Sequence, residues 1–299
     1  MDLTLLRTFL AVHRAGSFTR ASASLGLSQP AITAQIRTLE KQVGKQLFER
    51  LPRGVAPTGP ADELARRLAP HLDAIEEIAA REVRGVDPLR RTVHLGGPTE
   101  MTALRVLPSL ADLVRRGLRL RVTLGSGDVL LTGLAAARHD LVISDVRPRA
   151  RGIVGTPLTD EEYVLIGAPY WAARLPQGRI RAQGPAALEG VPLVGEAEEQ
   201  PLIRRYWSTV FDAKPTAPAA VTVPDLRAVL DCVRAGHGIA VLPRYLCAEA
   251  LDRRAVVALL EPELPPLHTV FLAVREGTLS QPHIARLHGE LIARAARWS

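Results

Sequence analysis

The sequence has few cysteines and no long apolar run. Only two of its 299 residues are cysteines, Cys232 and Cys247, and they form neither a CxxC pair nor a disulfide framework. We interpret both as small buried or half-buried hydrophobic side chains, with a redox-sensing pair as the alternative that no other feature of the sequence supports. No apolar stretch of about eighteen residues occurs, and no secretory leader opens the chain. We therefore expect a soluble, cytoplasmic protein without a membrane segment, which disfavours a secreted solute-binding protein.

The motifs of common enzyme classes are also missing. The chain has no G-x-S-x-G, no H-E-x-x-H and no P-loop. The glycines Gly236 and Gly238 flank His237, but the third glycine and the strand-before-helix context of a dinucleotide site are lacking. We interpret His237 as a turn histidine, with a catalytic base as the weaker alternative. The sequence thus predicts no catalytic residue, no metal site and no cofactor.

Acidic residues are scarce in the first sixty positions. The whole chain has a net charge of +7, and residues 1–60 contain eight basic and three acidic residues, a net charge of +5. Such a local excess of positive charge is what binding to nucleic acid phosphates requires.

An amphipathic helix is predicted from Gln29 onward within this basic segment. Ser28 is a good N-cap, and Pro30 suits the first turn, where no backbone donor is needed. Apolar residues at helical spacing form one inward stripe. That stripe consists of Ile32, Ile36, Leu39 and Val43, and the outward side carries Pro30, Thr33, Ala34, Arg37 and Lys41. Taken alone, the pattern also fits an ordinary solvated surface helix.

Two shorter helices precede this one. Apolar spacing predicts a first helix over residues 3–12, ended by Gly16 and Ser17, and a second over residues 19–25. Gly26 and Leu27 then form a tight turn before the Ser28 cap. A short helix, a glycine turn and a longer capped helix are typical of a helix-turn-helix.

Four runs make the resemblance specific. They are GSFTRA at 16–21, LGLSQPAIT at 25–33, QIRTLE at 35–40 and LFER at 47–50. Together they resemble the N-terminal domain of LysR-type transcriptional regulators over about the first sixty positions, and the rest of the chain has the length and order of elements that this family implies.

A wing and a long helix follow. Residues 44–58 form two short extended segments around a turn, and the resemblance implies that this wing reaches the DNA minor groove. Arg53 is the candidate there, with an ordinary exposed turn arginine as the alternative. Residues 62–83 form a helix that the resemblance pairs with its twin in a dimer, whereas packing on its own domain is the alternative. Its apolar stripe is Leu64, Leu68, Leu72, Ile75, Ala79 and Val83.

Short apolar strands alternate with helices beyond a hinge at 85–89. This order predicts βαβ units and a mostly parallel sheet. Strands are expected at 92–95, 118–124, 140–144, 153–157, 161–167, 191–194, 221–223, 238–243 and 267–274. Helices are expected at 102–115, 129–137, 202–210, 225–235 and 282–296.

The fold class predicted is α/β with an all-α, winged N-terminal domain. A winged helix-turn-helix, a long linker helix and a two-lobed effector domain similar to periplasmic binding proteins are expected. The DNA-binding domain covers 1–58, the linker helix 59–85 and the effector domain 90–299. Within the effector domain, lobe I covers 90–160 and 267–299, and lobe II covers 161–266.

Ligands of open α/β sheets bind beyond the carboxyl ends of the strands. The candidates after predicted strands are Pro98, Thr99, Glu100, Ser126, Asp128, Ser144 and Asp145 in lobe I, and Glu196, Pro224 and Asp225 in lobe II. Each also fits an ordinary turn or cap, and for Asp225 we favour the cap. Five candidates are acids and none is an arginine. Because buried acids need a cationic partner, we expect an amine-containing, amino-acid-like effector.

The sequence therefore predicts a sequence-specific, DNA-binding transcriptional regulator that responds to a small molecule held between two lobes. The alternative is a ligand-binding protein whose helix-turn-helix is non-specific. Family members often carry a long polar residue where this chain has Ala34, so we expect more dependence on DNA shape. Partners would be double-stranded DNA, the effector, further copies in a dimer or tetramer, and RNA polymerase. The candidate DNA contacts are Thr19, Arg20, Ser28, Gln29, Pro30, Thr33, Arg37 and Arg53.

Overall fold

The computed structural model describes residues 2–51, 54–84 and 91–298, without the side chains of 50, 74 and 76–84. The predicted wing-tip residue Arg53 and the predicted hinge at 85–89 lie outside the described residues. The chain forms two compact units, one made of Met1–Leu158 with Phe271–Trp298 and the other of Thr159–Val270. We call residues 91–158 with 271–298 lobe I, and the second unit lobe II.

Three helices open the first unit, as predicted. They are α1 (Leu3–Ala15), α2 (Phe18–Leu25) and α3 (Gln29–Val43). Asp2, Ser17 and Ser28 cap their N-termini by accepting a backbone N–H on a side-chain oxygen. Each helix ends on a glycine with left-handed backbone, Gly16, Gly26 or Gly44, where a Cβ atom would be strained.

The wing consists of β1 (Phe48–Leu51) and β2 (Gly54–Pro57), which pair antiparallel. Glu40 ties it to α3, because its Oε1 accepts the backbone N–H groups of Leu47 at 2.8 Å and Phe48 at 3.3 Å. Ile32, Ile36 and Leu39 of the predicted stripe are buried in the common core of these helices.

The linker helix α4 (Gly59–Arg84) buries Leu72 of the predicted stripe, but its other main contacts come from residues outside that stripe. Its contacts with the winged-helix core come from Ala61, Ala65, Ala69 and Leu72. Of the predicted stripe, Leu64 and Leu68 are only partly buried, and Ile75 is 48% exposed. Small alanines let α4 approach the core closely, so the leucines flank the contact. The first half of the helix thus packs on its own domain, the alternative named above, while the side chains of Ala79 and Val83 lie outside the described residues.

Lobe I is built on three parallel strands. These are β3 (Thr92–Gly97), β4 (Arg119–Leu124) and β5 (Leu141–Ser144), in the order β4-β3-β5. A helical stretch follows β3, with α5 (Thr99–Met101), a π-helical turn (Thr102–Val106), α6 (Leu107–Ser109) and α7 (Ala111–Arg115). Helix α8 (Gly127–Ala135) connects β4 to β5. The parallel βαβ arrangement predicted for this part of the chain is present.

One long strand, β6 (Ile153–Gly167), continues from lobe I into lobe II where two segments were predicted. Lobe II then contains three longer helices, α11 (Pro201–Phe211), α12 (Leu226–Arg234) and α13 (Arg244–Asp252). It also has the short helices α9 (Pro169–Arg174) and α10 (Gln177–Gln183), a 3-10 turn (Gly184–Leu188), and strands β7 (Val194–Gly195), β8 (Val221–Thr222), β9 (Ile239–Pro243) and β10 (Val257–Ala258).

The expectation of a mostly parallel sheet is wrong for lobe II. Strands β7 and β8 are parallel, but β9 and β10 both pair antiparallel with β6. The returning strand β11 (Leu267–Arg275) also runs antiparallel to β5. An apolar run indicates a strand buried on both faces, but it does not specify strand direction. After a 3-10 turn (Thr278–Ser280), helix α14 (Pro282–Ala295) closes lobe I.

Candidate functional site

Seven of the eight predicted DNA contacts are described, and they lie on α2, on α3 and at the Ser28 cap. Thr19, Arg20, Ser28, Gln29, Pro30 and Arg37 are exposed, and Thr33 is half-buried. Helix α3 thus presents a polar face with no bulky apolar side chain. Helices of this kind read base edges in the DNA major groove.

Two hydrogen bonds set the chemistry of this face. The Thr19 hydroxyl donates to Gln29 Oε1 at 3.4 Å, so this bond does not use the amide N–H groups of Gln29. The Thr33 hydroxyl donates its proton to the Gln29 carbonyl oxygen at 3.0 Å, and the Thr33 methyl group takes no part in that bond. These groups match an adenine or mixed base edge and a thymine methyl, respectively.

A concave surface lies beside α3. A groove of about 380 Å³ is lined by Phe18, Thr33, Ile36, Arg37, Glu40, Gln46 and Phe48. It is open to solvent between α3 and the residues that lead into the wing. Thr33 and Arg37 therefore lie at its rim.

The seven predicted ligand residues of lobe I gather at one edge, because β3, β4 and β5 are parallel and end together. Pro98, Thr99 and Glu100 are half-buried, whereas Ser126, Asp128 and Asp145 are exposed. A Cβ atom at Gly127 would lie 2.4 Å from Asp145 Oδ1 and 2.7 Å from Ser144 Oγ. Only glycine there lets both side chains rest against the start of α8.

Ser144 is fully buried and already hydrogen-bonded. Its Oγ donates to the Val146 carbonyl at 2.8 Å and accepts the Val146 N–H at 3.0 Å. Its main role in the structure is to shape the turn that carries Asp145.

The three predicted ligand residues of lobe II follow β7 and β8. Glu196 is half-buried, burial raises its pKa, and its Oε1 accepts the Leu202 N–H at 2.9 Å. Asp225 is exposed and caps α12 through the N–H groups of Arg227 and Ala228, as favoured above, and Pro224 precedes it. The expectation that all five acids are buried is therefore wrong. Asp225 caps a helix at the surface, Asp128 and Asp145 are exposed to water, and Glu100 and Glu196 are half-buried.

Thr102 was not among the predicted ligand residues. It follows β3 by five positions, is fully buried, and its Oγ1 makes no hydrogen bond within the described residues. A Cβ at Gly97 would lie 2.2 Å from this oxygen, so the hydroxyl faces the end of β3. Leaving a buried hydroxyl without a hydrogen bond costs free energy. Thr102 is therefore a further candidate at the edge where β3, β4 and β5 end, which we call the ligand edge.

Sequence reasoning also missed a buried ion cluster at the opposite end of the lobe I strands. Arg14 binds both carboxylate oxygens of Asp73, at 3.2 and 2.7 Å, and lies 3.5 Å from Asp140. Arg275 lies 3.7 Å from the same Asp140. Burial alone would raise the pKa of Asp140, but Arg14, His94 and Arg275 lower it below the ordinary aspartate range. No local motif connects residues so far apart in sequence.

The comparisons with known proteins agree on one family. A model of the LysR substrate binding domain matches residues 87–296, and a model of the lysR-family bacterial regulatory helix-turn-helix protein matches residues 3–61. The chain belongs to the LysR family of transcriptional regulators. This confirms the resemblance found in the sequence, and it makes the protein a transcriptional regulator with a DNA-binding helix-turn-helix and an effector-binding domain, not an enzyme.

This LysR-family regulator has a similar relative in Streptomyces antibioticus. The HTH-type transcriptional regulator AbaB is 56% identical over 301 residues, which cover 100% of both chains.

Solved structures agree on the fold. ArgP from Mycobacterium tuberculosis aligns with a TM-score of 0.74 at 21% identity, over 99% of this chain and 98% of that one. LysG from Corynebacterium glutamicum with bound effector Arg aligns at 0.66 and 19% identity, over 99% and 98%. The predicted fold class is thereby confirmed.

The part of the regulator that the structure describes contains no helix that is long and apolar enough to cross a membrane. In the same residues, no group of three or more histidine, cysteine, aspartate or glutamate side chains is placed to hold a metal ion.

Proposed function

We propose that this regulator binds a specific DNA sequence through α3 and changes its action when a small effector binds at the ligand edge. The observation that carries the proposal is the polar face of α3, which carries the amide of the exposed Gln29 and the methyl and hydroxyl groups of Thr33. These are groups that discriminate between base pairs in the major groove.

The contacts divide by chemistry. Gln29 and Thr33 would read base edges, and Pro30 would pack against them. Arg37, beside them on α3, would bind phosphate together with the α2 residues Thr19 and Arg20 and the cap residue Ser28. Arg53 is proposed for the minor groove.

We propose domain limits at 1–58, 59–85 and 90–299, and a homodimer or tetramer. A dimer places two α3 helices on two half-sites, so the operator would have approximate twofold symmetry. The long helix α4 would set the spacing of these readers. We further propose that the regulator acts in the cytoplasm and contacts RNA polymerase.

For the effector we propose an amino-acid-like molecule. The ligand edge of lobe I combines the N-terminus of the nine-residue helix α8, which favours a carboxylate, with the carboxylates of Glu100, Asp128 and Asp145. A ligand with both a carboxylate and an ammonium or guanidinium group satisfies both. LysG, a protein of the same fold, is described with bound effector Arg. Thr102 and Ser126 would supply hydroxyl groups.

Thermal unfolding tests the effector class. At a hundredfold excess over its Kd, a ligand stabilises by about 2.7 kcal/mol. We expect L-arginine or L-lysine to raise the melting temperature at constant ionic strength, and Glu100→Gln to abolish the rise. Glu249→Gln, an exposed glutamate on α13 paired with Arg253, is the matched control and should retain it. Stabilisation by simple monocarboxylates, with none by amines, would contradict the proposal.

Operator variants test the reading face. Thr33→Ser removes the methyl group but keeps the hydroxyl, whereas Thr33→Val does the reverse. We expect Thr33→Ser to relax discrimination at one thymine by about 1 kcal/mol or more, with Thr33→Val close to the wild type. A loss in Thr33→Val with none in Thr33→Ser would assign the contact to the hydroxyl and refute the methyl role.

A further inference from the structure

A short connection in lobe I contacts the winged helix. The residues between α8 and β5, from Ala136 to Asp140, reach both α1 and α4. Arg138 lies 3.6 Å from Asp62 on α4, and the same Asp62 accepts a hydrogen bond from His13 of α1 at 2.8 Å. Burial lowers the pKa of His13, so at neutral pH this contact is a neutral imidazole N–H donating to a carboxylate.

Ala137 fits into the winged-helix core. It is fully buried and belongs to the same apolar cluster as Phe9 and Leu39. Its backbone is left-handed, with φ +60°, which costs a non-glycine residue free energy. The surrounding packing must hold this conformation, because an exposed loop would relax it.

Next to Ala137, the ion cluster joins three elements that are distant in sequence. Arg14 comes from the last turn of α1, Asp73 from α4, and Asp140 from the residue before β5. All three side chains are at most 15% exposed. Asp140 is itself fixed to lobe I, because its Oδ2 accepts the His94 N–H at 2.8 Å and Arg275 lies on its other side.

Two further contacts reach α4 from lobe I. Arg91 donates to the Asp73 carbonyl at 2.7 Å, and Gln281 donates to the Pro70 carbonyl at 3.3 Å. Each falls within one turn of Asp73 on α4. The contact between lobe I and α4 is therefore continuous with the ion cluster.

We propose that the connection from Ala137 to Asp140 is a docking surface on lobe I whose partner is the winged helix and α4 of the same chain. The bidentate pair of Arg14 with Asp73, bridged to Asp140, fastens this dock. The orientation of α3 is then set by lobe I and not only by the linker. Asp140 precedes β5 and Asp145 follows it, so the dock and the ligand edge are the two ends of one four-residue strand. The regulatory meaning of that link rests on the proposed function.

Hydrogen exchange of the full chain tests the dock. We expect Arg14→Gln to speed exchange at least tenfold in peptides from α1 and the first half of α4. Peptides from β3, β4 and β5 should stay within about twofold of the wild type, because lobe I keeps the Asp140–Arg275 pair. Asp73→Asn should give the same pattern, because it weakens the pair with Arg14 and leaves Asp140 with Arg275, and it serves as the second variant if Arg14→Gln folds poorly.

The matched control is Arg294→Gln. Arg294 is 20% exposed and binds Asp112 and Glu290 at 2.8 Å, but all three of these residues belong to lobe I. This variant should leave exchange in α1 unchanged.

Two outcomes would overturn the proposal. One is unchanged exchange in α1 for both Arg14→Gln and Asp73→Asn. The other is a uniform increase across the whole first unit, which would mean a general structural role. The assay contains no DNA and no effector, so its failure would leave the proposed function standing.

Discussion

Asp140 and Asp145 stand at opposite ends of β5 in opposite surroundings. Asp140 is 5% exposed, accepts a backbone N–H and lies beside two guanidinium groups. Asp145 is exposed at the carboxyl edge, against the glycine that begins α8. Two aspartates five positions apart therefore lie in different surroundings. We propose that one fastens lobe I to the winged helix and that the other contacts the effector.

The difference follows from strand direction. In a parallel sheet the carboxyl ends face helix N-termini and open loops, so polar residues there remain accessible. The amino ends of β3 and β5 are covered by α1 and α4 in this regulator. A carboxylate at that end must be paired, because an unpaired buried charge is too costly.

The largest expected effect comes from removing the buried member of this pair. Asp140→Ala leaves the guanidinium of Arg275 buried without its carboxylate and should lower the free energy of unfolding by about 3–5 kcal/mol. Asp145→Ala should change it by less than about 0.5 kcal/mol. Urea denaturation of both variants measures the difference. Similar losses of unfolding free energy in the two variants would contradict the different roles assigned to Asp140 and Asp145.

The next largest effect is on acid stability and concerns His139, beside Asp140. Burial, with help from Arg138 and His94, lowers the pKa of His139 to about 4. Between pH 6.5 and 4 the His139 imidazole is protonated in the unfolded chain but stays neutral in the folded chain. The free energy of unfolding therefore falls as the pH falls. The loss should reach about 3 kcal/mol by pH 4, and none of it is present above pH 6.5.

The variant His139→Gln isolates this contribution. Its unfolding free energy should fall less steeply than that of the wild type between pH 6.5 and 5, as measured by urea midpoints across that range. Parallel pH profiles would show that His139 does not govern the acid response.

A smaller effect distinguishes two arginines of the winged helix. Arg37 is exposed on α3, whereas Arg14 is in the ion cluster. Arg37→Ala should weaken DNA binding about tenfold and reduce the salt slope by about one, with unfolding unchanged. Arg253→Ala, in an exposed pair of lobe II, is the control and should bind normally. An unchanged salt slope in Arg37→Ala would remove Arg37 from the phosphate contacts.

The smallest effect is expected at Ala137. Ala137→Gly relieves the left-handed strain but adds freedom to the unfolded chain, and the two changes are each about 1 kcal/mol or less. Unfolding free energy should therefore move by less than about 1 kcal/mol. A loss above about 2 kcal/mol would mean that packing of the methyl group in the winged-helix core dominates.

The winged helix was largely predictable, because its signals are local. Caps such as Ser28, glycine ends such as Gly26 and the stripe of Ile32, Ile36 and Leu39 each determine structure within a few residues. The parallel strands of lobe I were likewise indicated by apolar runs that alternate with helices.

The rest depends on contacts between distant residues. The direction of β9 and β10 along β6, the alanine stripe of α4 and the pairing of Arg14 with Asp140 have no local pattern. For the candidate sites, the chemistry of α3 was predictable from residue types. The use of Asp225 as a cap was also predicted, whereas the contact of Glu196 with the start of α11 depended on backbone geometry that composition does not reveal.

The proposal that α3 reads a specific DNA sequence can be tested directly by DNA binding. The purified full chain is titrated with the DNA immediately upstream of its own gene, and with random duplex, at two salt concentrations. We expect specific binding to survive an excess of random duplex at both concentrations. We expect it to be lost in the double variant Gln29→Ala with Thr33→Ala. Equal binding to both duplexes, with no effect of the double variant, would contradict it.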